Sequence, residues 1–271
     1  STLPKRLLRF PHSASLGTIS LGDSLDITRP ELWNDVGEAR DVICIPAGKA
    51  AKLRVDFDPP TDLAPLTEIV PDGIQVIEIS GTAVEDATLA YLQPLIGLLV
   101  VDLYYAPITD AALEILGRLA HLRHLFLGET AVTDQGVAHL HSLTALRTLD
   151  LTSTKVGDDG VAGIGGIRSL QHLYLGGTSL SDTGVEYVAR LENLLDLEMY
   201  NTTITDTGAS QLNALTHLNY LNVAGTSITD ISLPRLGALP ALHTLLLRRT
   251  GASASGVTEL RVLRPDMVID Y

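Results

Sequence analysis

The 271 residues contain one cysteine, Cys44. A lone thiol excludes an intramolecular disulfide framework and a cysteine-rich zinc site. Aromatic residues are also scarce, at 8 Tyr, 3 Phe and 1 Trp. No apolar run approaches the ~18 residues that would read as a membrane span. Basic residues are outnumbered, with 19 Lys and Arg against 32 Asp and Glu, for a net charge of −13. Nucleic-acid backbones and anionic membrane surfaces reward Lys and Arg, so neither is an expected partner. No nucleophile motif, phosphate-binding glycine loop or HExxH occurs, and no cofactor is expected. The chain opens Ser-Thr-Leu-Pro, without the charged and apolar regions of a signal peptide. A single thiol fits either redox compartment, with the cytoplasm slightly favoured. What the chain does have is leucine, 48 residues of it, spread evenly along its length.

That leucine is periodic. Aligned on the small residue after each Leu-rich run, the units are marked by Thr82, Ala106, Thr130, Thr154, Thr178, Thr202, Thr226 and Thr250, every step being 24 residues. Five and three residues before each marker stand apolar pairs, from Ile77 and Ile79 through Leu173 and Leu175 to Leu245 and Leu247. Eight residues before it stand Ile74, Leu98, Leu122, Leu146, Leu170, Leu194, Leu218 and Leu242. The first half of the unit has the period of two of a half-buried strand. The second half has apolar residues three apart, such as Val137, Leu140 and Leu143, as on the inner face of a short helix. One unit cannot bury these residues alone, whereas stacked units form one continuous core.

The unit L-x-x-L-x-L-x-x-T-x-[IV]-x-D-x-G-[VA]-x-x-L-x-x-L resembles the leucine-rich repeat superfamily over roughly residues 74–265. Its T-x-I-T-D-x-G-V phase is similar to the ribonuclease-inhibitor-like, or cysteine-containing, class, with Thr where that class often has Cys. The gap-free 24-residue form resembles bacterial examples. The resemblance implies an α/β solenoid, an arc with a concave parallel β-sheet and convex short helices, serving to recognise other proteins. Some relatives are the substrate-recognition half of a ubiquitin ligase, but no F-box-like helical segment precedes the repeats here.

Other fixed positions have readings in folding. Asp86, Asp110, Asp134, Asp158, Asp182, Asp206 and Asp230 stand four residues after each marker, usually preceded by Thr or Ser. Hydroxyl and carboxylate there would accept the free N–H groups of the following helix and suit its positive end. One Asp every 24 residues does not supply a calcium ion's ligands locally. The marker threonines would bond neighbouring backbone groups as a ladder. Residues 1–73 do not fit the repeat well and read as a small β-rich N-terminal cap, or alternatively as a separate recognition domain. Short alternating runs at 16–21, 42–45 and 53–57 would supply its strands, with Trp33 as packing anchor. Leu53 and Val55 fall 24 residues before Ile77 and Ile79, so the cap should donate a strand to the same sheet. Residues 74–265 are eight repeats, and 266–271 a capping strand in which Ile269 and Tyr271 continue the register. Cys44 reads as a buried core thiol, with an exposed reactive one as the alternative.

Function must then reside in the variable positions. Strand side chains alternate, so three columns should face the concave side. Among them are the aromatics Tyr104, Phe126, Tyr174, Tyr200 and Tyr220, with Tyr105 at the rim. Five acids join them, Glu78, Asp102, Asp150, Asp196 and Glu198, together with His124 and His172. Aromatic residues are enriched in binding hot spots, and these have no evident folding role. The expectation is a non-catalytic, monomeric scaffold that binds a protein or peptide of basic character on this face. An alternative is a structural or assembly protein that uses its caps or convex face. A weaker one is a metal-dependent hydrolase, because Asp150, His172 and Asp196 could approach one another on adjacent strands ~4.8 Å apart. An open face is poor at excluding water, however.

Overall fold

The structure is a computed structural model that describes residues 4–11, 15–23, 25, 29–55, 62–81 and 83–271. Thr82 and residues 56–57 of the third N-terminal run lie outside the described residues. The chain enters through β1 (Arg6–Arg9), β2 (Gly17–Gly22), β3 (Trp33–Glu38), β4 (Val42–Ile45) and β5 (Ala50–Val55). It continues with three-residue strands: β6 (Val76–Glu78), β7 (Val100–Asp102), β8 (His124–Phe126), β9 (Thr148–Asp150) and β10 (His172–Tyr174). The last four are β11 (Asp196–Glu198), β12 (Tyr220–Asn222), β13 (Thr244–Leu246) and β14 (Val268–Asp270). Among the described residues β14 to β5 follow one another in a single sheet that ends with β2 and β3, while β1 and β4 pair separately. From β5 to β14 neighbouring strands are parallel and in register at 24 residues, as in Lys52↔Val76 and Leu245↔Ile269. β5 thus occupies the unit-zero position and β14 the ninth.

The reason for short strands is burial. The central residue of each repeat strand, from Ile77 to Leu245, is fully buried; the Leu or Ile eight residues before each marker is buried too, as are Leu113, Val137, Leu140, Val161, Val185 and Leu212 of the helical halves. Burying each Leu stabilises by about 1.5–3 kcal/mol relative to exposure. One apolar core runs from Leu8 to Ile269. The helices are α1 (Asp110–Leu116), α2 (Asp134–Val137), α3 (Asp158–Ile164), α4 (Asp182–Val188), α5 (Asp206–Ala209), α6 (Leu233–Gly237) and α7 (Ala254–Leu263). The expected helix through Val137, Leu140 and Leu143 is instead α2 followed by a 3₁₀ stretch, Ala138–Ser142, with Leu143 just beyond it. Three-residue apolar spacing matches the 3₁₀ repeat as well as an α-helical face. Among the described residues no helix is long and apolar enough to cross a membrane.

The phased aspartates do more than cap, and the expectation for them is corrected. The hydroxyl of Thr109, Thr133, Ser181 or Thr205 accepts an N–H two residues on, as a helix cap should. The carboxylate does not bond its own helix. It reaches the next repeat: Asp182 accepts the Thr205 N–H at 2.8 Å and the Thr205 hydroxyl at 2.6 Å. Asp86 with Thr109, Asp110 with Thr133, Asp158 with Ser181, Asp206 with Thr229 and Asp230 with Ser253 repeat the pair. Asp134 meets Gly157 and bonds its N–H alone. Each hydroxyl therefore donates to the preceding repeat while accepting from its own helix. The recurrent glycine has the same cause, because a Cβ at Gly136, Gly184 or Gly208 would collide with the carboxylate of the preceding repeat. At the equivalent Ser232 the side chain bonds Asp206 instead.

The marker threonines bond backbone as expected but do not connect repeats. Thr130, Thr154, Thr178, Thr202, Thr226 and Thr250 each donate to the carbonyl three residues earlier, closing their own turn. The residue before each marker, from Gly81 and Tyr105 to Arg249, has positive φ at all eight positions. Five of the eight are not glycine, at a cost of roughly 1–2 kcal/mol each. Their N–H groups extend the sheet ladder, as in Glu129 N–H to Thr152 O at 2.8 Å, which holds the conformation.

Cys44 is exposed, which contradicts the buried-thiol reading. β4 pairs with β1 with Leu7 opposite Cys44, and this pair faces outward while Leu8 and Ile45 point into the core. Native protein should therefore release one equivalent of chromophore from a thiol-exchange reagent without denaturant; reaction only after unfolding would contradict the placement. For the aspartate bridge, Gly208→Ala should destabilise by about 1–3 kcal/mol in urea titration, overpacking outweighing a helix-propensity gain of up to about 1 kcal/mol. Asp182→Ala should cost about 1–3 kcal/mol by leaving the Thr205 N–H unpaired. The double variant should lose clearly less than the sum, because the second change removes the atom that the first collides with; strict additivity would contradict the bridge.

Candidate binding surface on the concave sheet

Strands pack ~4.8 Å apart and helices 8–10 Å apart, so the sheet takes the inner side of the curve. Register then sets three columns on its open face. The middle column alternates acid and aromatic across five neighbouring strands: Asp102 opposite Phe126, Phe126 opposite Asp150, Asp150 opposite Tyr174, and Tyr174 opposite Glu198. Asp102 and Asp150 are pinned, each accepting the N–H two residues on, from Tyr104 at 2.9 Å and Thr152 at 2.8 Å. Glu198 stands opposite Asn222 on the next strand, with Tyr220 beside it.

The column nearer the strand ends holds Tyr104 and Tyr200, whose rings lie over Gly128 and Gly176 of the adjoining strands. A side chain at either glycine would collide with the ring. The two tyrosines lean towards each other across buried Thr152. Tyr105 is 63% exposed at the rim and meets Tyr104 edge-on, centroids 4.8 Å apart. The opposite column is polar, with His124 Nδ1 2.9 Å from Thr148 Oγ1 and His172 Nδ1 2.6 Å from Asp196 Oδ2.

Both ends of the surface are occupied by the protein itself. Trp33 packs over Val76, Val100 and Ala50, with Phe126 at its margin. Lys52 lies 5.1 Å from the Trp33 ring centroid and pairs with Glu78 at 2.9 Å, both side chains nearly buried. Glu78 stands opposite Asp102 on the neighbouring strand but is already neutralised by Lys52. At the far end Arg248 pairs with Asp270 at 2.7 Å beside exposed Arg249. The remaining named residues, from Asp102 to Tyr220, share one continuous face. Asp150 does not join His172 and Asp196: it stands opposite Phe126 and Tyr174, two residues further along the strand. Among the described residues no group of three or more His, Cys, Asp or Glu is placed to hold a metal.

Sequence reasoning overlooked Trp33 and Lys52 as covers of this face, and Gly128 and Gly176 as seats for tyrosine. Lys52 carried a usable signal, since it lies 24 residues before Val76 in the same column.

Burial raises the Asp102 carboxyl above the ordinary range, opposed by the bond from the Tyr104 N–H and by the charge of Lys52. Burial also raises Asp150 and Glu198, with Asp102 acting on Asp150, and Asp150 and Asp196 on Glu198. Tyr104, Tyr174 and Tyr220 are pushed up to about 12, chiefly by burial and then by neighbouring acids, so they remain neutral donors. A carboxyl with a higher pKa folded than unfolded favours the native state while protonated. That advantage is full below about pH 4 and is lost as pH rises through the folded value. Asp150→Asn keeps the acceptor for Thr152 and removes the charge. It should raise the melting temperature at about pH 7, and the gain should shrink towards zero at about pH 3. A lower melting temperature at neutral pH, or a gain independent of pH, would contradict this.

A family model described as Leucine Rich repeat matches residues 142–165 and 166–189. Each match is one 24-residue period long. Comparison with curated proteins gives no match. Among solved structures, internalin C2 (inlC2) from Listeria monocytogenes str. 4b F2365 is similar at 27% identity with a TM-score of 0.62, over 77% of this chain and 89% of that one. Internalin inlF from the same strain is 21% identical with a TM-score of 0.59, over 81% of this chain and 66% of that one. A TDR receptor shares the fold at 15% identity and a TM-score of 0.53, over 80% of this chain and 40% of that one. The period, the parallel sheet with alternating helices and the matched repeats agree: this chain has the leucine-rich repeat fold.

Proposed function

We propose that the protein is a non-catalytic scaffold that binds a protein or peptide segment of basic character across its concave sheet. The observation that carries this reading is the placement of Asp102, Asp150 and Glu198 among four tyrosines on an open face. The groups acting most on Asp150 and Glu198 are hydroxyls, N–H groups and other carboxylates rather than cations. A cationic partner would relieve that repulsion. Tyrosine supplies large contact area at low entropic cost. The similarity to internalins and to a receptor supports a binding role for such a scaffold.

Assembly through the C-terminal end is the second reading, favoured by Val262 and Leu263, which are 77% and 68% exposed on α7. The two are separated by paired variants measured against a partner isolated with the native protein. Tyr174→Ala and Tyr200→Ala should each weaken binding by at least about tenfold, and Glu198→Gln should flatten its salt dependence. Val262→Asp with Leu263→Asp should leave affinity unchanged. The opposite pattern would move the site to the C-terminal end.

A further inference from the structure

The alternation of the middle column carries a prediction about ligand shape, and it rests on the concave-face reading above. Asp102, Asp150 and Glu198 lie on β7, β9 and β11, with Phe126 and Tyr174 on the strands between. Carboxylates on every second strand repeat at ~9.6 Å, and the row spans ~19 Å. Beyond one end Glu78 adjoins Asp102 but is taken up by Lys52, and beyond the other Arg248 is paired with Asp270, so neither end extends the row of unpaired carboxylates. We propose that this row binds an extended polyproline-II segment, running across the strands, that carries Lys or Arg at every third residue.

The pitch selects this conformation. A polyproline-II helix has three residues per turn and rises ~3.1 Å per residue, so every third side chain returns to the same face after ~9.3 Å. Over the full row its mismatch stays below ~1 Å. A β-strand returns to the same face after ~6.7 Å, so its third basic residue would fall ~6 Å short of Glu198. The aromatics fit as well. Phe126 and Tyr174 lie between the carboxylates, where the intervening residues of each turn would rest, and polyproline-II ligands dock on aromatic grooves. The segment makes no internal hydrogen bonds, so its carbonyls are free to accept from the neutral hydroxyls of Tyr104 and Tyr200 along one side. Asp102 and Asp150 are already fixed by backbone N–H groups, which lowers the cost of ordering them.

The test uses synthetic capped peptides with three lysines separated by proline and alanine, measured by fluorescence anisotropy at low salt. Lysine at every third residue should bind at least about fivefold tighter than composition-matched peptides with lysine at every second or fourth residue. Asp150→Asn should abolish that preference. A preference below fivefold, with binding still lost in Tyr174→Ala, overturns the pitch while leaving the concave reading intact. Binding that ignores spacing and both variants overturns the pitch and the concave reading together. No binding by any peptide overturns the inference alone, because the variants against the native partner test the concave site independently.

Discussion

Everything in this molecule depends on how one repeat is fixed to the next. The apolar core favours stacking but is a poor guide to register, since successive units bury nearly the same residues. The phased aspartates supply the missing specificity. Asp110, Asp158 and Asp182 each grip both the N–H and the hydroxyl that begin the following helix, and a glycine beside them leaves room for the carboxylate. Such a link is satisfied at one spacing. Because a slip by one residue would turn every strand inside out, fixing the helix starts also decides which side chains reach the open face.

The repeat and the strand register were legible because both are written in period. Leu149, Leu173 and Leu197 recur at one interval and could belong only to stacked strands. The aspartate's partner was not legible, because a carboxylate beside a helix start suits its own helix by local rules and its true donors are 23 residues away. Cys44 misled for a similar reason. Its run Val42–Ile45 is apolar, but β4 belongs to a two-stranded sheet with one face in water. The columns of the candidate surface could be written down from the sequence. Their occupation could not, since nothing in the repeat announces that Trp33 crosses to Val76 and Val100.

The structure also sorts the acidity. Seven aspartates belong to the bridges, and Glu78 is neutralised by Lys52. Asp196 is paired with His172. Of the five acids on the concave face, Asp102, Asp150 and Glu198 remain, raised above the usual carboxylate range by burial. They work against folding at neutral pH, a cost tolerated in a protein with one long apolar core. That combination of local instability on a rigid frame is common where a surface is kept for a ligand. The tyrosines over Gly128 and Gly176 fit the same account, because the small residues give up packing of their own to seat a ring on the open face.

The central claim is that a 24-residue register, enforced by links between neighbours, generates the fold. Deleting residues 154–177 removes one full period and joins Ser153 to Thr178, both in their native phase. Deleting 154–176 removes one residue fewer. The direct measurement is thermal unfolding of the two variants followed by circular dichroism. The first should remain folded and unfold cooperatively, at a lower temperature than the intact chain. The second should lose cooperativity, because the strand after the junction is out of phase and its aspartate link cannot form. Equal stability of the two, or failure of the first to fold, would contradict the account.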